Sequence, residues 1–244
     1  MTTDDRPMPR YLQLLWGREE GGRRGPKPTL SIADIGAAAV ALADERGWES
    51  VSMKAVAESL GLTTMSLYRY VDSRDELQQV MLDVAYGPAD PLLTATGAWR
   101  TRLDQWARAI AAALVARPWV VMAPMHTAPV TPNLLTWTES GLQCFENVPM
   151  TGQQKLSALL LVDGFVRNHV RQSVQLGAVT ERGTTTDDGA YEASILKLAV
   201  PERYPRLIDA VADTPNTNGD FYNEELTFGL EVIFAGLQAR INAS

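Results

Sequence analysis

Between Thr63 and Arg74 the chain carries a run of side chains suited to hydrogen bonding with a polar, negatively charged surface: Thr64, Met65, Ser66, Tyr68, Arg69, Tyr70 and Arg74. Hydroxyls donate or accept, a guanidinium offers two parallel donors, and methionine or tyrosine can lie against apolar groups such as a methyl. Lys54 adds a cation upstream. What covalent chemistry needs is missing. The chain has two histidines, His126 and His169, and one cysteine, Cys144, and it lacks an H-E-x-x-H, a P-loop and a G-x-G-x-x-G ahead of a helix. An enzyme is therefore disfavoured, and no cofactor or metal is implied.

Two short helices must position that run. Ser52 can cap the first, which has an apolar face of Val56, Ala57 and Leu60, and Gly61 stands where a helix end wants a left-handed residue. Thr63 can cap the second. Leu67 and Val71, four apart, take its buried side, so Thr64, Met65, Ser66, Arg69 and Tyr70 fall largely outside. Ser73 and Glu76 read as an S-x-x-E capping box, which starts a third helix at once. The result is a helix-turn-helix. A plain helical hairpin is the competing reading, but an exposed Tyr/Arg/Tyr face on a helix too short to stand alone favours DNA contact. On that reading Thr64, Met65 and Ser66 enter the major groove most deeply. Arg69 is the candidate for two-pronged guanine recognition, and Lys54 and Arg74 reach phosphates.

The same residues, A-x-x-x-G-L-T-x-x-x-L-Y-x-Y-V-x-S-R-x-E-L from Ala57 to Leu77, resemble the helix-turn-helix of the tetracycline-repressor (TetR) family, and the likeness covers roughly residues 31–87. By that resemblance Thr64, Ser66, Tyr68, Tyr70 and Arg74 match family contact positions. Many relatives carry histidine and phenylalanine where Tyr70 and Val71 stand, which leaves the base preference open.

Net charge is −7, and its distribution matters more than its sum. Residues 1–74 hold 10 basic and 10 acidic side chains, against 12 and 19 in residues 75–244. The excess negative charge thus lies away from the candidate reading face, as suits a body that must stay off a duplex. Nothing resembles a membrane span or a secretory leader, so a cytoplasmic protein without membrane partners is expected. A lone Cys144 excludes an intramolecular disulfide.

In chain order, residues 10–17 read as a short amphipathic helix through Leu12, Leu15 and Trp16, an anchor onto its own domain or a partner subunit. Residues 18–28 are rich in glycine, proline and charge, and there Arg23, Arg24 and Lys27 form either a basic arm along DNA or a solvated linker. A helix over 31–47 follows, capped by Ser31 with Asp34, closed by Gly47, and buried through Ile35, Ala38, Ala39, Leu42 and Ala43. The stretch 87–97 marks a junction, which divides the chain into an extension and arm (1–30), a DNA-binding domain (31–87) and a helical body (88–244).

Helical patterns then occupy 98–117, 133–147, 151–176, 190–200, 205–213 and 221–241, so the fold class is all-α. The broken, methionine-containing stretch 119–132 suits either a cavity wall or a core corner. Along 151–176 the apolar face is Leu156, Leu159, Leu160, Phe165, Val166 and His169, while Asp163, Arg167 and Arg171 read as a surface ladder and 177–189 as a loop. Trp99, Met122, His126, Trp137, Phe145 and His169 are the candidate lining of a small-molecule pocket. In the last helix Gly229 and Gly236 favour close approach by another helix, and Leu226, Leu230, Ile233 and Leu237 share its apolar face. The segment T-F-G-L-E-x-I-F-A-G-L is similar to the terminal helix of TetR-like regulators, which pair it with a second subunit. The resemblance implies a homodimeric transcription regulator, a repressor of a palindromic double-stranded operator, released by a small-molecule effector. A helical enzyme and a protein-binding adaptor are the alternatives.

Overall fold

The computed structural model describes residues 7–18, 30–124, 128–180, 183–184, 190–213 and 220–243. Arg23, Arg24, Lys27 and His126 lie outside the described residues.

Hydroxyl caps set the N-terminal architecture. Helix α1 (Arg10–Leu15) is followed by α2 (Ile32–Arg46), whose Ser31 and Asp34 exchange a complete capping box. Ser52 starts α3 (Met53–Ser59), Thr63 starts α4 (Thr64–Leu67), and Ser73 starts α5 (Arg74–Tyr86), each through its side-chain oxygen. Such caps contribute about 1 kcal/mol each. At Ser73 the expected box is only half made: Ser73 Oγ accepts from the Glu76 N–H, but Glu76 reaches past it to the Asp72 N–H at 2.7 Å. The carboxylate therefore braces the turn from α4 as well as the start of α5.

Helices α2 and α5 cross tightly because Gly36 has no side chain. A Cβ there would lie 2.6 Å from a Val84 methyl. Ile35, Ala39, Val56, Leu67, Val71, Leu77, Val80 and Met81 fill the space among α2, α3, α4 and α5. Helix α1 docks on this unit through Tyr11 and the expected Leu12, with the expected Leu15 half-buried against the same core; Trp16 instead is 36% exposed, its indole N–H on the Val130 carbonyl at 3.1 Å.

The body follows with α6 (Trp99–Ala116), the short α7 (Trp119–Met122), α8 (Pro132–Gln143) and the long α9 (Gly152–Gln175). A two-residue antiparallel pair, β1 (Val179–Thr180) with β2 (Gly183–Thr184), stands within the expected loop, and α10 (Ala190–Leu198), α11 (Pro205–Ala212) and α12 (Phe221–Asn242) complete the chain. Leu103, Trp106, Leu114, Phe145, Val162, Val166, Leu230 and Phe234 form the body's core. Gly141 lets α8 approach α6 and α9, since a Cβ there would meet Leu159 at 2.7 Å and Trp106 at 3.0 Å. Helix α11 buries no residue within this chain. No helix among the described residues is long and apolar enough to cross a membrane.

Candidate nucleic-acid interface and ligand cavity

Helix α4 is four residues long and could not persist alone. Its hold comes from Thr63 at one end and from Leu67 and Val71, both fully buried. Gly61 makes the preceding turn at φ +65°, a conformation that a side chain resists. Met65 is 75% exposed and Tyr68 43%, with Arg69 and Arg74 beside them on the surface. Thr64 and Ser66 are half-buried, and the Ser66 hydroxyl lies 3.0 Å from that of Thr63. Tyr70 sits deeper than its pattern implies. Half-buried, it donates its hydroxyl to the Leu30 carbonyl at 3.2 Å, which ties the end of the recognition segment to the entry of α2.

Arg74, the first residue of α5, lies over the Trp48 ring at 5.2 Å. The ring holds the guanidinium beside the unpaired N–H groups of the helix start, where an anionic oxygen is favoured. Lys54 is exposed and pairs only loosely with Glu58, at 3.7 Å, so it is free to exchange that partner for phosphate.

A polar joint connects this unit to the body. Asp44 of α2 accepts from the Trp119 indole at 2.6 Å and from Arg117 Nε at 3.2 Å, and Arg117 also donates to the Ala85 carbonyl of α5 at 3.1 Å. Asn133, at the start of α8, donates through its backbone to the buried Asp83 carboxylate at 2.8 Å and through its amide to the Asp83 carbonyl at 3.1 Å. Gln78 donates to the Pro124 carbonyl, and Trp137 to the Gly87 carbonyl at 3.0 Å.

Directly behind that joint is a cavity of about 200 Å³ lined by Tyr86, Trp106, Ile110, Leu134, Trp137, Thr138, Leu159, Asp163 and Arg167, with Leu156 and Leu160 also on its wall. Tyr86 packs edge-on to Trp137, 6.3 Å between ring centres, and Arg167 lies 5.5 Å from the Tyr86 ring while bonding Asp163 at 2.7 Å. The Tyr86 hydroxyl is buried, with the Arg167 guanidinium close enough to act on its oxygen and no acceptor on its proton among the described residues. Burial pushes its pKa up to about 12, against the pull of the Arg167 charge, so it stays a donor at any physiological pH. The chemistry offered is an aromatic slot with one unused phenolic donor and one guanidinium.

Of the pocket residues expected from sequence, Trp137 lines this cavity and Met122 lines a neighbouring one. Trp99 and Phe145 do not. They stack on each other at 6.1 Å in the core beside Phe234, because their spacing serves the junction of α6, α8 and α12. His169 lies between Phe165 and Tyr222, its Nε2 3.0 Å from the Tyr222 carbonyl, and clamps α9 to α12. Tyr86, Trp106, Asp163 and Arg167 were missed. For Asp163 and Arg167 a signal was present: Leu156, Leu159, Leu160, Asp163 and Arg167 repeat at helical spacing, so the supposed surface ladder continues an apolar stripe.

Helix α12 also departs from expectation. Leu226, Leu230 and Leu237 are buried inside their own chain, Ile233 is half-buried, and a Cβ at Gly229 would lie 2.1 Å from the ring of Phe165 on α9. The close approach that glycine permits is thus intramolecular. Gly236 alone of the two glycines faces open space. The outward stripe of α12 is Phe221, Phe228, Val232, Ala235 and Ala239, with Phe228 66% and Val232 57% exposed, and Leu161 of α9 is exposed as well. Leu156 and Leu160, expected on the buried face of α9, are exposed too, at 46% and 74%.

A capped helix-turn-helix joined by a polar seam to a cavity-bearing helical body defines a ligand-responsive class of DNA-binding transcription regulator, and the chain belongs to the TetR family. Residues 35–80 match the family model described as bacterial regulatory proteins, tetR family, and residues 90–241 match the tetracyclin repressor-like C-terminal domain. Over 95% of its length the chain is 32% identical to the HTH-type transcriptional repressor DrrR1 of Streptomyces coeruleorubidus, covering 86% of that protein. The fold is similar to that of apo ActR from Streptomyces coelicolor, with a TM-score of 0.73 at 20% identity over 89% of this chain and 99% of ActR. ActR in complex with actinorhodin aligns with a TM-score of 0.69 at 20% identity, over 88% of this chain and 99% of that one.

Proposed function

We propose that the chain is a repressor that binds a two-fold symmetric operator as a homodimer and leaves it when a small molecule enters the Tyr86–Trp137–Arg167 cavity. One observation carries this reading. The cavity wall and the DNA-reading unit share helix α5, which begins at Arg74 beside the recognition segment and ends at Tyr86 in the cavity. A ligand that shifts Tyr86, or Trp137 on the Gly87 carbonyl, therefore moves the far end of the element that seats Arg74. The Asp44–Trp119 and Asp83–Asn133 bonds would carry the same displacement into α2 and α5.

The residues proposed to touch DNA are Met65, Tyr68 and Arg69 at bases, with Thr64 and Ser66 at the groove edge and Lys54 and Arg74 at phosphates. Residues 31–87 act as the reading domain and 88–244 as the responding one, hinged at Gly87. The second subunit covers the Phe221–Phe228–Val232–Ala235–Ala239 stripe together with Leu161. Its heptad-like spacing suits a helix pair from a copy of the same chain. A small-molecule effector is in keeping with the complex of the similarly folded ActR with actinorhodin, and the Tyr86, Trp106 and Trp137 rings of the cavity suit a flat, aromatic one. Driving the population from 1% to 99% released needs about 5.5 kcal/mol of preference between states, within reach of a ligand buried among aromatic rings.

Footprinting the purified protein on DNA flanking its own gene tests the reading. A protected two-fold site, weakened steeply by salt, is expected. A stable monomer that leaves every such duplex unprotected at low salt would overturn it.

A further inference from the structure

Three cavities converge on Arg167. It lines the aromatic one, a small one shared with Tyr86, Gln79 and Leu82, and a wider one of about 450 Å³ between α7 and α9. The wide cavity is walled by Val120, Val121, Met122, Ala123 and Pro124 on one side and by Gly164, Arg167, Asn168, Arg171 and Gln175 on the other. Two arginines and two amides face it, and among the described residues no carboxylate lines it. Arg171 spends one N–H on Asn168 at 2.9 Å, and Arg167 donates Nε to Asp163 on the aromatic side. A guanidinium has five N–H donors, so both keep capacity for an anionic oxygen.

We propose that the effector is an amphipathic organic anion: a flat ring system against Tyr86, Trp106 and Trp137, and an acidic group on Arg167 that reaches toward Arg171 and Asn168. This rests on the cavity being the effector site and adds the charge of what enters it. Arg167 stands in the wall between the apolar and the basic cavity, and the Tyr86 O–H, beside the same guanidinium, supplies a donor for an oxygen on the ring. A neutral ligand of the same shape would leave Arg167 on Asp163 and gain nothing from the basic side. A cationic one could meet Asp163 in the aromatic cavity but would find Arg167 beside it and Arg171 beyond. The location also explains a route to DNA, because the α7 segment that walls the basic cavity holds Asp44 through Trp119 and Gln78 through the Pro124 carbonyl.

Two fluorescent probes that differ by one acidic group separate the possibilities: 8-anilinonaphthalene-1-sulfonate and the uncharged N-phenyl-1-naphthylamine. The full chain should bind the sulfonate at least about tenfold more tightly than the neutral probe, as expected of a charge-assisted bond. Arg167→Met should erase that preference. Because Arg167 also braces Asp163 and Tyr86, Arg171→Met serves as a second variant at an exposed position and should lower sulfonate affinity several-fold while the far-ultraviolet melt stays unchanged. Thr138→Trp, which fills the aromatic cavity, should block both probes. Equal binding of the two probes, both lost in Thr138→Trp, overturns the anion assignment while the cavity stands as a site. Binding of both probes unaffected by Thr138→Trp overturns the cavity reading and the anion assignment with it.

Discussion

Replacing Asp44 by alanine should damage this protein in a way that its surface position alone would not suggest. The carboxylate is 39% exposed as a side chain, and its ion pair with Arg117, itself 37% exposed, is screened by solvent. That pair contributes no more than about 0.5 kcal/mol. The Trp119 indole is different: it is 8% exposed, and its N–H is bonded to Asp44 at 2.6 Å. Removing the acceptor leaves a buried donor unmet, which costs about 1–3 kcal/mol. Asp44→Ala should therefore lower stability by about 2 kcal/mol, a melting-point drop of roughly 4–8 °C for a chain of this size. Asp44→Asn keeps an oxygen for the indole and should lose less than about 0.5 kcal/mol.

The assay is thermal unfolding of Asp44→Ala, Asp44→Asn, Trp119→Phe and the Asp44→Ala/Trp119→Phe double variant, with a coupling of about 1 kcal/mol expected between the last two sites. In the same set, Asp44→Ala should keep its operator but lose about fivefold or more of its ligand response, since the seam that carries the displacement is cut. Additive effects, or an asparagine as harmful as alanine, would refute the reasoning.

Arg69→Ala should lose about 1–3 kcal/mol of base discrimination at one operator position, measured by affinity for single-base operator variants; a uniform loss across sequences would reassign Arg69 to phosphate. Arg74→Gln should weaken all duplexes alike and reduce the slope of log affinity against log salt by about 1, and an unchanged slope argues against phosphate contact. Phe228→Asp on the exposed α12 stripe should give monomers in sedimentation equilibrium, whereas an intact dimer would place the subunit contact elsewhere. Burial holds His169 below the ordinary histidine range, although the Tyr222 carbonyl and Glu225 pull it upward. Its contribution to stability is thus complete above the unfolded value of about 6.5 and is lost as pH falls from there through the folded value. The melting point should fall over that window, and His169→Gln should flatten the fall; an unchanged slope refutes the assignment.

The DNA-reading unit was largely legible in the sequence because local chemistry determines it. Ser31, Ser52, Thr63 and Ser73 announce helix starts within a few residues of what they cap, and Leu67 and Val71 declare an inner face by spacing alone. Tyr70 escaped because its partner, the Leu30 carbonyl, is distant in sequence. The body was legible as helices but not as a site. Trp99 and Trp106 lie on the same helix with similar apolar spacing, yet one packs against Phe145 and the other opens onto the cavity, and only the placement of α8 decides between them. Gly229 shows the same limit. Its lack of a side chain signalled a close neighbour correctly, but a single helix cannot say whether that neighbour is Phe165 of the same chain or a residue of another.

The shortness of α4 has an evolutionary corollary. Since its hold resides in Thr63, Leu67 and Val71, the outward positions 65, 68 and 69 are free of folding duty, and a library randomised there should keep its fold while its preferred operators diverge. Substitutions around Gly36 or Met81, by contrast, would silence every operator at once. Duplicated copies of such a gene can acquire new targets by changing three surface codons, with the responding body inherited intact.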